Sequence, residues 1–227
     1  MKLYYTPGAC SLADHIVLQW IGAPYEAVRM THASIKSPQY LAMNEGGTVP
    51  QLVDGNFFLT ENVAILGYLA DLYPDAHLIG DGTPRARAEV MRWLGFLNSE
   101  VHPAFKPIFV PARFLPDATA AGAIVEAARI RVREYLKRLD ARLEGRDWLT
   151  GERSIADPYL YVMLRWAIRL EIGLYGFANL SRFAERMYQD AGVRDAIIAE
   201  KDDMAQLRPG AAPAGEHEAL TTYRKVS

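Results

Sequence analysis

The stretch from Lys2 to His15, KLYYTPGACSLADH, decides how the rest of the chain is read. Leu3, Tyr4 and Tyr5 make a short strand, and Thr6-Pro7-Gly8 breaks it. From Ser11 the apolar residues fall at helical spacing: Leu12, Ile16, Val17, Trp20 and Ile21 share a face, and Gly22 ends the run. Cys10 therefore sits at a strand-to-helix turn. The free N–H groups of a helix start and the positive end of its dipole favour a thiolate there. The alternative is a small buried apolar side chain, a common place for a free cysteine.

Composition limits the rest. The chain has 227 residues, half of them hydrophobic, which suits one large or two small domains. A net charge of −2 and the lack of a basic run leave no footprint for nucleic acid. One cysteine excludes an intrachain disulfide and fits a reducing compartment. No apolar run is long enough to span a bilayer, and no leader pattern opens the chain. The expectation is a soluble cytoplasmic protein without membrane or nucleic-acid partners.

Outward from the first helix, Tyr25 to Met30 alternates as a second strand. Ser37-Pro38 caps a short helix over Gln39 to Met43, which Gly46-Gly47 ends. Pro50 to Val53 and Asn56 to Leu59 are strands around Asp54-Gly55, a strong hairpin signal. Thr60 is placed as the cap of a helix running to Tyr73, with Glu61 in its first turn and Val63, Leu66 and Leu69 on one face. The order is βαβαββα, with a parallel pair from the crossover and antiparallel strands from the hairpin.

Beyond a linker at residues 78–82, only helical patterns occur. Thr83-Pro84 opens one that runs to about Val110, interrupted by Pro103 and Pro107. Another spans about Ala118 to Leu143. Ser154-Ile155-Ala156-Asp157 reads as a capping box with Asp in the acidic place, opening a helix to about Glu171. Leu180 to Gln189 and Val193 to Glu200 are shorter helices. The expected divisions are an α/β domain at 1–77, an all-α domain at 84–200, and a loose tail at 208–227.

A small α/β domain with a thiol at its first helix, followed by helices alone, resembles a glutathione S-transferase. The motifs sharpen this. Tyr5-Thr6-Pro7-Gly8-Ala9-Cys10-Ser11-Leu12 is similar to the N-terminal signature of the bacterial beta class. Thr48-Val49-Pro50-Gln51-Leu52 resembles the family's cis-proline element, and Leu59-Thr60-Glu61-Asn62-Val63-Ala64-Ile65 its γ-glutamyl segment. Ser154 to Tyr159, SIADPY, resembles the capping motif of the helical domain, and Leu164-Arg165-Trp166-Ala167 is also beta-like.

The resemblance implies a thioredoxin-like domain followed by an all-helical one. It also implies a homodimer and glutathione as co-substrate, with no metal. The implied activity is detoxifying transfer of glutathione to small hydrophobic electrophiles. It places glutathione against Tyr5, Lys36, Thr48, Val49, Pro50, Glu61 and Asn62. Val49 would pair its backbone with the cysteinyl part as an added strand does. Glu61 would receive the ammonium, and the Asn62 N–H and side chain the α-carboxylate. Cys10 and His102, the latter within Ser99-Glu100-Val101-His102-Pro103, would face the reacting sulfur. Phe105, Lys106, Phe109 and Trp166 would line the electrophile pocket.

Departures from the family pattern stand beside these matches. Pro103 follows His102 where beta-class members often have Lys. Asn44-Glu45-Gly46-Gly47 replaces an Asn-Pro-Lys-Gly loop, and Gly95 stands where an Asn is common. Two other readings use the same residues. One is a glutathione-dependent thiol transferase or peroxidase with Cys10 as nucleophile, and the other a non-catalytic binding protein of the same fold.

Overall fold

The computed structural model describes residues 1–115 and 118–200. The tail expected at 208–227 lies outside them. Strands β1 (Lys2–Tyr5), β2 (Glu26–Arg29), β3 (Gln51–Asp54) and β4 (Phe57–Thr60) form one sheet in the order β2-β1-β3-β4. β1 runs parallel to β2 and antiparallel to β3, and β3 pairs antiparallel with β4. Gly55 turns the β3–β4 hairpin at φ 59°, as the Asp-Gly pair dictates. On β1 the pleat sends Leu3 and Tyr5 into the core and leaves Lys2 exposed.

The helices start where local chemistry directs. Ser37 caps α2 (Pro38–Leu41) by accepting from the Tyr40 N–H at 3.3 Å. Thr83 caps α4 (Pro84–Phe96) through the Ala86 N–H at 3.2 Å. The box at Ser154 closes with Asp in the acidic place. Asp157 Oδ2 accepts from the Ser154 N–H at 2.7 Å, and Oδ1 from the Leu149 N–H at 3.0 Å. Burial raises this carboxyl to about 6 against those bonds.

The start of α3 (Asn62–Leu72) differs from expectation. Thr60 ends β4 and caps nothing. Glu61 is the flanking residue, outside the first turn, at φ 71° and ψ 121°.

Two helices are buried on nearly every side. In α1 (Leu12–Ile21), every residue from Leu12 to Leu18 is buried, Asp14 and His15 included. It packs against α3 within the α/β part and against α7 (Ala156–Arg169) and α9 (Ala191–Glu200) of the helical part. α7 is buried from Ala156 to Ala167. A helix that is apolar all round belongs in a core, and α7 is the axis of the helical part. The joint is tied there too: the buried Leu78 offers its carbonyl to the Ile155 N–H at 2.9 Å.

Between α4 and α5 (His102–Phe109) the helix widens to a π turn over Leu97–Val101. Pro103 has no N–H for the carbonyl four residues back, and its ring would crowd that group in a regular helix. The widened turn accommodates it, and the chain stays helical through Pro107. The long α6 (Ala121–Arg142) and α8 (Ala178–Gln189) complete the described helices.

Candidate functional site

The site gathers around the turn between β1 and α1. Gly8 takes the left-handed conformation there, φ 69°, and Cys10 follows half-buried. Three elements hold this turn. The Asn62 side-chain amide, at the start of α3, donates to the Cys10 carbonyl at 2.9 Å. The Trp166 indole N–H, from α7, donates to the Gly8 carbonyl at 2.8 Å. The Gly8 N–H donates to Glu200 Oε2, from α9, at 3.0 Å. Both polar groups of Gly8 are thus satisfied from the helical part. Glu200 is itself fully buried, and its other oxygen lies 3.1 Å from His15 Nδ1.

The Cys10 thiol donates to the Val49 carbonyl at 3.6 Å. Val49-Pro50 is cis, as its motif implied. The thiol is not the acidic group that its place at a helix start suggests. Burial pushes it up to about 12, and the nearby Asp14 acts in the same direction. Backbone N–H groups of Cys10 and Ser11 oppose this and lose. Asp14 is buried with neither oxygen hydrogen-bonded among the described residues, and burial raises it well above the carboxylate range. Desolvation is the largest cause at Cys10, ahead of the Asp14 charge.

Glu61 is exposed, one residue before the first N–H groups of α3. A left-handed backbone at a residue other than Gly, Asn or Asp costs about 1–3 kcal/mol and persists where surrounding structure imposes it. Asn62 behind it is only 4% exposed. One of its side-chain N–H groups is used on the Cys10 carbonyl, and the other and the backbone N–H at the start of α3 are not part of that bond. The bond locks the Cys10 turn to α3.

The loop before Val49 is also pinned from within. The buried Asn44 donates to the Thr48 carbonyl at 2.8 Å and accepts from the Gly46 N–H at 3.1 Å. Tyr40 donates to the same Thr48 carbonyl at 2.7 Å. Lys36 Nζ donates to the Gly47 carbonyl at 3.0 Å, so an ammonium stands at this loop although Gly46 carries none. Gly47 is required there: it sits at φ 54°, and a Cβ would fall 2.8 Å from the Ile35 carbonyl oxygen.

Two of the expected contact residues are covered in this structure. Tyr5 is 4% exposed, its ring 5.4 Å from that of His15. Phe105 has no exposed surface and stacks on Phe109 at 6.2 Å. Phe109 is 38% exposed and edge-on to Trp166 at 5.3 Å.

His102 opens α5, its ring 4.9 Å from that of Trp166, and Lys106 follows one turn on with its side chain exposed. Burial, and then the Lys106 charge, lower His102 to about 4. Among the described residues no hydrogen bond joins His102 to Cys10; Trp166 connects them through Gly8.

Residues 1–71 match the glutathione S-transferase N-terminal domain and residues 97–190 the C-terminal domain. The chain belongs to the glutathione S-transferase family. It is 47% identical over 201 residues to glutathione S-transferase GST-4.5 of Xanthomonas campestris, covering 88% of this chain and 98% of that one. A sphingomonad glutathione S-transferase complexed with glutathione superposes with a TM-score of 0.79 at 40% identity, over 88% of this chain and 99% of that one. A bacterial beta class enzyme of Sphingomonas chungbukensis gives 0.78 at 39%, over 88% and 98%.

Sequence reasoning in this family missed Glu200, Asp14 and His15. The signal was present: titratable groups inside the apolar run of α1 require a buried partner. No group of three His, Cys, Asp or Glu among the described residues is arranged to hold a metal, and no helix there is long and apolar enough to cross a membrane.

Proposed function

We propose that this glutathione S-transferase binds reduced glutathione between Cys10, Val49 and Glu61 and conjugates it, through its sulfur, to a small apolar electrophile. The observation that carries the reading is Glu61, an exposed acid held at φ 71° at the mouth of α3 and joined to the Cys10 turn through Asn62. A backbone in that conformation aims a carboxylate at a cation beside free helix N–H groups, which suits an amino acid's ammonium and carboxylate together. Lys36 and the Thr48–Pro50 segment meet the rest of the peptide, with Val49 offering its backbone. Phe109, backed by Trp166, presents the apolar face for the electrophile, with Lys106 at its edge.

Cys10 shapes the site and supplies backbone N–H, while His102 faces the incoming sulfur. A thiol with its pKa raised to about 12 is a poor nucleophile near neutrality, so the thiol-transferase reading is disfavoured. We assign the chain to the cytoplasm, with detoxification of electrophiles as its role. We also assign it a homodimer, in which a second copy covers Phe57 and Phe58, 46% and 48% exposed on the edge strand β4.

The test is calorimetry with millimolar glutathione, followed by turnover of a chloro-nitroaromatic by the wild type and Cys10→Ala. Heat of binding and conjugation within about twofold in both proteins are expected, since alanine keeps the N–H. No heat from folded protein removes the binding claim. Loss of conjugation in Cys10→Ala makes Cys10 a nucleophile and restores the redox reading.

A further inference from the structure

His102 has two ring nitrogens, and the fold has already committed one. Nδ1 lies 2.7 Å from the Tyr159 hydroxyl. That hydroxyl has a single proton and donates it to Asn98 Oδ1 at 3.0 Å. Tyr159 has no exposed surface, so its hydroxyl does not turn towards bulk water instead. The bond between Nδ1 and the tyrosine oxygen therefore takes its proton from the imidazole. A neutral imidazole carries only one N–H, and His102, lowered to about 4, is neutral at pH 7. Nε2 is then left as a bare lone pair.

We propose that Asn98 and Tyr159 are positioning residues that hold His102 as its Nδ1–H tautomer, so that Nε2 accepts the hydrogen of the glutathione thiol. The second half of this inference rests on the transferase reading above.

Three elements build the relay. Asn98 lies in the π turn, four residues before His102, and Tyr159 stands near the start of α7. Trp166 follows Tyr159 by two turns on the same side of α7, flanks the His102 ring at 4.9 Å, and binds Gly8. The relay is thus anchored to the same turn as Cys10. Tyr159 is held above its ordinary range by burial first, which disfavours its ionised form and keeps the hydroxyl proton in place.

The proton accounting is simple. The thiol S–H donates to Nε2 in the bound state. As the sulfur lone pair forms the bond to the aromatic carbon, the S–H proton passes to Nε2, and the chloride of a chloro-nitroaromatic leaves with its bonding electrons. The imidazolium, strongly acidic in this setting, then returns its proton to water. His102 is in this scheme a general base whose low basicity makes transfer concerted with attack rather than prior to it.

The experiment is two-bond ¹H–¹⁵N correlation on protein with labelled histidine at neutral pH. The His102 signals are assigned against His102→Gln. In the wild type, Nδ1 is expected at a protonated, pyrrole-type shift and Nε2 at an unprotonated, pyridine-type shift. Tyr159→Phe, nearly isosteric, should raise the Nε2–H form and lower kcat roughly fivefold, the size of one neutral hydrogen bond, with KM for glutathione unchanged. Asn98→Ala should move the tautomer in the same direction without touching a core ring. A protonated Nε2 in the wild type, or an unchanged tautomer in both variants, overturns the inference and leaves the transferase reading intact. Absence of conjugation with Nδ1–H in place overturns the transferase reading and leaves the positioning pair standing.

Discussion

Two helix starts meet at the Cys10 turn, and they surround their side chains differently. At α1 the thiol of Cys10 has N–H groups beside it and is nonetheless pushed up to about 12. At α3 the carboxyl of Glu61 is exposed beside similar N–H groups. The dipole of a helix end contributes about 0.3–1 kcal/mol, less than one pKa unit. Desolvation of an enclosed thiol exceeds that several-fold. At Cys10, therefore, nearness to a helix start is outweighed by burial. One start builds the wall of a site, and the other presents a charge to a ligand.

The largest effect expected from this contrast is at Cys10. With its pKa near 12, the thiol should alkylate at pH 7.5 roughly a thousandfold more slowly than a free cysteine. The sign for stability follows: the raised value favours the folded state below the free-thiol pKa. That contribution falls as pH rises from about 8.5 towards 12, because only the unfolded chain ionises. Fast labelling without denaturant would break the contrast.

Next in size is Glu61→Ala, which should weaken glutathione by roughly 1.5–3 kcal/mol, or ~10- to 150-fold in Kd, by calorimetry. An unchanged Kd would place the ammonium elsewhere. Trp166→Phe should cost about 1–3 kcal/mol in urea unfolding, since it leaves the Gly8 carbonyl without its donor. A loss well below that would show that another group takes over the carbonyl. The smallest change is Glu61→Gly. Relief of the φ 71° backbone should stabilise the fold by ~1 kcal/mol while glutathione is lost, so Tm and affinity move in opposite directions. A fall in both would mean that the conformation is unstrained.

What was legible in the sequence is what a few neighbouring residues settle among themselves. Asp54-Gly55 specifies its hairpin, Thr83-Pro84 its helix start, and Ser154 with Asp157 its box, because each pairs groups within three positions. The transferase fold followed from the order of such segments. Illegible were the contacts that cross the molecule. Glu200 reaches Gly8 and His15, Trp166 reaches Gly8, and Tyr159 reaches His102, each over a chain separation that no periodicity encodes. The same cause hid the packing of Tyr5 and Phe105 and the bond of the Asn62 side chain. Their types fit a ligand surface, and in the fold they also pack on His15, on Trp166 and on the Cys10 turn. Thr60 failed as a cap because the chain spends one more residue in β4 before it turns.

The bond from Gly8 to Glu200 joins residues 192 positions apart, and this has a consequence for synthesis. A ribosome adding about 5–20 residues per second makes the first of the pair roughly ten to forty seconds before the second. Through that interval the Gly8 amide and the His15 ring await a partner that has not been translated. The turn at Gly8 is thus completed late, when α9 docks beside α1. A chain arrested before α9 would carry every motif of the first domain and still lack a finished site.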